Sequence, residues 1–119
     1  MSDLLSRNKR IVVSVSAMNK DSIIEALRMA VGISTGRRPF YVSLLFSGDG
    51  VINGVKDRVN EEYDKYYTAA QAHNVALYID EFCMSLRGLK AEVIRPEFQI
   101  IKREEILSLL AGSDLHVRL

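Results

Sequence analysis

Four scarcities bound this chain before any motif is read. There is one cysteine, Cys83, in 119 residues, so no internal disulfide can form. With only two histidines beside it, no Cys/His cluster offers a structural zinc site. No apolar run approaches the ~20 residues a membrane-spanning helix needs, and residues 1–10 lack the apolar core of a secretory signal. Neither sign of charge dominates: sixteen Lys and Arg stand against fifteen Asp and Glu, a net charge of +1. That balance excludes the basic surface by which nucleic-acid binders announce themselves. The chain also lacks tryptophan and has only two prolines, Pro39 and Pro96, so few positions forbid regular structure. The expectation is a single cytoplasmic domain over residues 1–119 with a loose segment at 1–10, no metal and no cofactor.

What is present is a regular alternation of β-branched runs and helical periodicity. Residues 11–17, 40–46, 75–79, 98–101 and 115–119 read as strands. The first two are apolar on both faces, as strands covered on both sides are. Between them, Ile23, Leu27, Ala30 and Val31 recur at helical spacing, with Ser22 and Glu25 spaced as a capping box and Gly36 and Pro39 as the stop. A second helix is expected from about Asn60 to Ala72, with Tyr63, Tyr66, Tyr67 and Ala70 on one face and Asn74 ending it. A third is expected over residues 80–88 and a fourth over 102–111, closed by Gly112. Strands and helices in this order predict a three-layer α/β domain, a five-stranded parallel sheet with helices on both faces.

In a parallel sheet all carboxyl ends share one edge, and ligands bind there. That rim gathers Ser16 and Ala17, the turn Ser47-Gly48-Asp49-Gly50, the stretch from Asp80 to Cys83, and Lys102 with Arg103. Cys83 falls in the first turn of a helix whose N-cap is Asp80, where the positive helix end favours thiolate and the Asp80 charge opposes it. Beside Phe82, Met84 and Leu86, the same cysteine also reads as an inert buried apolar residue, as free cysteines often are. His73 precedes the third strand and belongs to the opposite edge, so it cannot serve Cys83 as a base. His116 sits within the last strand as a packing residue. The Ser47–Gly50 turn lacks a P-loop pattern; it reads as a plain glycine turn or as a backbone cradle for an anion. The tyrosine stripe reads as core or as a subunit interface.

Phe46-Ser47-Gly48-Asp49-Gly50-Val51 after a strand, and a later strand leading into a cysteine helix that ends Arg87-Gly88-Leu89, resemble the DsrE/DsrF-like family. The closing block does too: Ile100-Ile101, then Arg103-Glu104-Glu105-Ile106-Leu107, then Ala111-Gly112-Ser113-Asp114 before a terminal strand. The resemblance runs from about Ile11 to Leu119. It implies a small intracellular subunit, commonly a trimer or hexamer, in sulfur oxidation or in sulfur relay to tRNA thiolation. Active members carry sulfur as a cysteine persulfide after the third strand, at a position where this chain has Asp80. Cys83 matches the second cysteine of relatives with a C-x-x-C pair. The resemblance therefore implies Cys83 as the sulfur carrier, with Asp80, Ser47, Gly48, Asp49 and Gly50 lining its crevice and Lys102 or Arg103 supplying positive potential. Sulfur-donor and sulfur-acceptor proteins are the implied partners, with no organic cofactor. Two alternatives remain from the residues themselves: a non-catalytic subunit of a homo-oligomer or hetero-oligomer, and a small anion binder using the Ser47–Gly50 turn.

Overall fold

The computed structural model describes residues 9–35, 40–57 and 61–119. Its elements in order are β1 (Arg10–Val15), α1 (Lys20–Ser34), β2 (Tyr41–Phe46), a 3-10 turn (Gly48–Gly54), α2 (Glu61–Ala72), β3 (Ala76–Asp80), α3 (Glu81–Leu86), a second 3-10 turn (Ala91–Val93), β4 (Gln99–Ile101), α4 (Arg103–Ala111) and β5 (Leu115–Arg118). The five strands form one sheet in the order β4-β3-β2-β1-β5, and every pairing is parallel. The expected parallel α/β domain is what the chain forms.

Topology decides which face each helix covers. From β1 to β4 the chain steps outward in one direction, so right-handed crossovers place α1 and α2 on the same face. The connection from β4 to β5 returns past β1 to the far edge, which sends α4 to the other face. The cores agree. On the first face Ile11, Val13 and Val15 of β1 meet Val42, Leu44 and Phe46 of β2, Leu77 and Ile79 of β3, and Ile23, Ala26, Leu27 and Ala30 of α1. On the second, Val12, Leu45 and Ile101 meet Ile106, with Leu109 and Leu110 packed alongside. Among the described residues coverage is therefore unequal: one helix of nine residues serves a face of five strands, and Tyr41 is left 62% exposed there.

The tyrosine stripe resolves as core. Tyr63, Tyr67 and Ala70 are buried, at the i, i+4, i+7 spacing of one helix face. Tyr67 packs edge-on to Phe98 and tilted to Phe46, and the Arg95 guanidinium lies over its ring. An assembly argument drawn from this stripe loses its basis, because the surface in question is already covered within the chain.

Helix ends follow local chemistry. The expected Ser22–Glu25 box does not start α1. Asn19 does, its side chain accepting the Ser22 N–H at 2.8 Å, which places the start at Lys20 and Ser22 in the first turn. Asn74 ends α2 as expected, with φ of 60°. The N–H of Val75 then returns to the Ala70 carbonyl and that of Asn74 to Gln71, the double bond of a Schellman turn. Gly36, Pro39 and Asn60 lie outside the described residues, as does most of the segment expected to be loose; its last residue, Arg10, begins β1.

At the β5 edge, Ser14 Oγ and His116 Nε2 are 2.7 Å apart. Burial, and then the Arg118 guanidinium, hold His116 below the ordinary histidine value. The unfolded chain then binds the proton first, so this histidine's share of stability is present above about pH 6.5 and is lost as pH falls through the folded value. Urea midpoints compared at pH 7.5 and pH 5.5 should fall less in His116→Gln than in the native protein. Equal losses would place the acid sensitivity elsewhere.

Candidate functional site

Asp80 is the last residue of β3 and the hinge of the site. The strand delivers it to the carboxyl rim almost fully buried, at 3% exposure, where α3 begins. Its Oδ1 accepts the N–H of Phe82 at 2.9 Å and of Cys83 at 3.4 Å, the N-cap that the sequence predicts. Its Oδ2 accepts the Cys83 thiol at 3.1 Å. One carboxylate thus starts the helix and holds the sulfur.

The sulfur has two further neighbours. The Gly48 N–H donates to Sγ at 3.2 Å, from a turn whose φ of +53° at Gly48 is left-handed backbone that suits glycine. The Arg103 guanidinium, at the first position of α4, places Nη2 3.8 Å from Sγ and 3.7 Å from Asp80 Oδ2. The thiol pKa is raised above the ordinary cysteine value. Burial is the largest cause and the Asp80 hydrogen bond the next, while the Gly48 amide and Arg103 pull the other way. The expected gain from the helix end is outweighed by burial and then by the Asp80 carboxylate, which also occupies the Phe82 and Cys83 amides at the start of α3. Cys83 at rest is a neutral thiol with a carboxylate in hydrogen-bond contact.

Across the mouth, Arg87 joins the two sides of the crevice. Its Nη1 donates to the Cys83 carbonyl at 3.0 Å and its Nη2 to Asp49 Oδ1 at 2.6 Å, tying the end of α3 to the 3-10 turn. Gly88 allows this placement: at φ of +68° it forms the second Schellman turn, with Leu89 N–H returning to Met84 and Gly88 N–H to Ser85. Sequence reasoning missed the Asp49–Arg87 pair, since 38 residues separate them and no local pattern links them.

The remaining rim residues divide. Ser47 is half-buried and caps the 3-10 turn without a side-chain bond, its N–H donating to Val15 and its carbonyl accepting Gly50 N–H. With Gly48 N–H on the sulfur and Gly50 N–H on Ser47, two amides of this turn are already engaged, which weakens the anion-cradle reading. Gly50 is buried against the Val15 and Ala17 carbonyls, where it lets the turn pass beneath β1. Of the two cations expected, Arg103 reaches the thiol. Lys102 is the exposed N-cap of α4, its N–H donating to Glu105 Oε1 at 3.1 Å. His73 follows α2 at the opposite edge. Among the described residues no group of three or more His, Cys, Asp or Glu could hold a metal ion, and no helix is long and apolar enough to cross a membrane.

None of the curated proteins matches the chain in sequence. Several solved structures share its fold, among them the two that follow. The YchN protein of E. coli is similar at a TM-score of 0.78 and 16% identity, over 95% of this chain and 100% of its own. The MTH1491 protein of Methanobacterium thermoautotrophicum, described as of unknown function, is similar at 0.80 and 10% identity, over 94% of this chain and 100% of its own. At such identities both speak for the fold alone. A family model goes further, matching residues 6–118: the chain belongs to the DsrE/DsrF-like family.

Proposed function

We propose that this protein handles intracellular sulfur, with Cys83 carrying a sulfane sulfur as a persulfide. The observation behind this reading is the set of three polar contacts on one sulfur at the carboxyl rim: a carboxylate to take its proton, a backbone amide, and a guanidinium beside both. A cysteine that merely fills the core needs none of these.

The chemistry is an exchange with no net oxidation. Cys83 Sγ attacks the outer sulfur of a donor persulfide, and its proton passes to Asp80. A new S–S bond forms at Cys83, the donor's S–S bond breaks, and the donor leaves as a thiolate that takes up the proton. Release to an acceptor thiol is the same exchange in reverse. Donor and acceptor are proteins with reactive cysteines. Assembly as a homo-oligomer, a trimer or hexamer, or with related subunits belongs to the same proposal; Phe82 and Leu86, both exposed beside the thiol, supply apolar surface for such contacts.

Treatment with a persulfide donor should add one sulfur by intact mass, removed by reductant, and Cys83→Ser should abolish the adduct while keeping the native circular dichroism. The burial of Cys83, 7% exposed, together with its raised pKa, favours one rival, a subunit that supports a catalytic partner. If native Cys83 resists both donor and alkylating reagents until the protein is unfolded, that rival replaces the carrier.

A further inference from the structure

Phe82 stands 49% exposed in the first turn of α3, next to a sulfur that is almost sealed. A lone exposed aromatic needs no explanation by itself, but this one has a specific neighbour. The Arg103 guanidinium lies over its ring, 4.4 Å from the centroid, well inside the ~6 Å reach of a cation–π contact. The same guanidinium is 3.7 Å from Asp80 Oδ2 and 3.8 Å from Cys83 Sγ. The oxygen contact is longer than a direct hydrogen bond, and the Arg103 side chain is 57% exposed, so these contacts do not fix it alone. Nor does its helix. Arg103 opens α4, where the positive end of the helix dipole disfavours a cation. Among the described residues, the Phe82 ring is the neighbour that meets this guanidinium well within contact range.

We propose that Phe82 is a positioning residue: its ring carries the Arg103 guanidinium and holds it over the Cys83 sulfur, where it offsets the Asp80 charge and stabilises the negative charge that develops on sulfur. The purpose of this arrangement rests on the carrier reading, but thiol ionisation tests it without any sulfur transfer. The charged groups around the thiol are Asp80 from β3, Arg103 from α4, and the Asp49–Arg87 pair joining the 3-10 turn to α3. The ring bears no charge, so a change in thiol titration on replacing it passes either through one of these groups or through the burial of the thiol, and the Arg103→Gln background separates the two.

The measurement is the iodoacetamide rate of the full chain against pH, each variant scaled to its own alkaline plateau so that differences in access cancel. Phe82→Leu keeps apolar bulk and removes the π face; its scaled rate at pH 7.5 should fall two- to fivefold, roughly the range of an exposed cation–π contact. Phe82→Trp should keep the native rate or exceed it. Arg103→Gln should slow the thiol at least as much as Phe82→Leu, and adding Phe82→Leu to Arg103→Gln should change nothing further. Phe82→Met repeats the test if the leucine variant does not fold. An unchanged profile in the aliphatic variants overturns the proposal, as does an equal loss in the Arg103→Gln background, which would mean the ring acts by packing. Sulfur loading is scored separately by mass, and its absence would refute the carrier reading while leaving the ionisation result intact.

Discussion

Gly50→Ala should lose about 3 kcal/mol of folding stability, at the upper end of what one overpacked methyl costs, and about 10 °C in melting temperature for a domain of this size. A Cβ at Gly50 runs into the carbonyl of Val15, with the Ala17 carbonyl oxygen at 3.4 Å behind it. Neither obstacle is the soft end of a side chain. Val15 closes β1 in register with Phe46, and its carbonyl accepts the Ser47 N–H at 3.0 Å. Relieving the clash therefore pulls β1 from β2 or lifts the 3-10 turn, and with the turn goes the Gly48 amide that faces the sulfur. Gly32→Ala is the control. Gly32 lies inside α1 with nothing within 4 Å of its Cβ position, so alanine should stabilise by about 1 kcal/mol through helix propensity alone. Chemical denaturation of both variants decides the matter. A native midpoint for Gly50→Ala would mean that the turn does not pass beneath β1 as described.

Asp80 gives the second large effect. Asparagine caps a helix as well as aspartate, so Asp80→Asn should retain α3 while removing the charge that opposes thiolate. The carboxylate's hydrogen bond and its field both raise the thiol pKa, and Arg103 lowers it. Without the carboxylate the pKa must fall, and alkylation at pH 7.5 should quicken several-fold. Asp80→Ala should show the same quickening and also lose about 1 kcal/mol of stability as the cap disappears. The same sign governs stability in alkali. A thiol whose folded pKa is raised contributes fully below its unfolded value and loses that contribution as pH climbs through the folded one. Asp80→Asn should therefore weaken the Cys83 share of alkaline destabilisation, read as the difference between each protein and its Cys83→Ser counterpart. A thiol indifferent to both substitutions would remove Asp80 from the site.

Much of this was legible because the signals were local. Five β-branched runs gave five strands, Asp80 announced itself as a cap three residues before Cys83, and Asn74 marked the end of α2. The tyrosines at 63 and 67 were legible as a stripe, but which surface they met depended on Phe46 and Phe98, residues distant in sequence. What escaped the sequence depends on contacts across the rim. The Ser47–Gly50 turn continues as a 3-10 helix through Gly54, a form with no periodicity to detect in so short a run. The Gly48 amide on the sulfur is a backbone group, which no residue type advertises. Arg103 and Phe82 meet only because α4 begins where β4 ends, beside β3. The sign of the thiol shift was open for the same reason, since burial by the closed rim is its largest cause and the Asp80 hydrogen bond the next.

The unequal covering of the two sheet faces has a consequence for how such a chain can vary over generations. A strand roofed by helices on both sides would be constrained at every position. Here the α1 and α2 side of β1 and β2 is sealed throughout, at Val13, Val15, Leu44 and Phe46, whereas the α4 side is sealed only at Val12 and Leu45, with Ser14 and Ser43 partly open and Tyr41 largely so. Tolerance should therefore gather at Ser14, Ser43 and Tyr41 even in the middle of a parallel sheet. Drift concentrates at those open positions of the α4 side, while the α1 and α2 side, and the patch of Val12, Leu45 and Ile101 against Ile106, admit only apolar exchange. Two lineages of this fold could come to differ at every one of those open positions and still keep the strand end that carries Asp80.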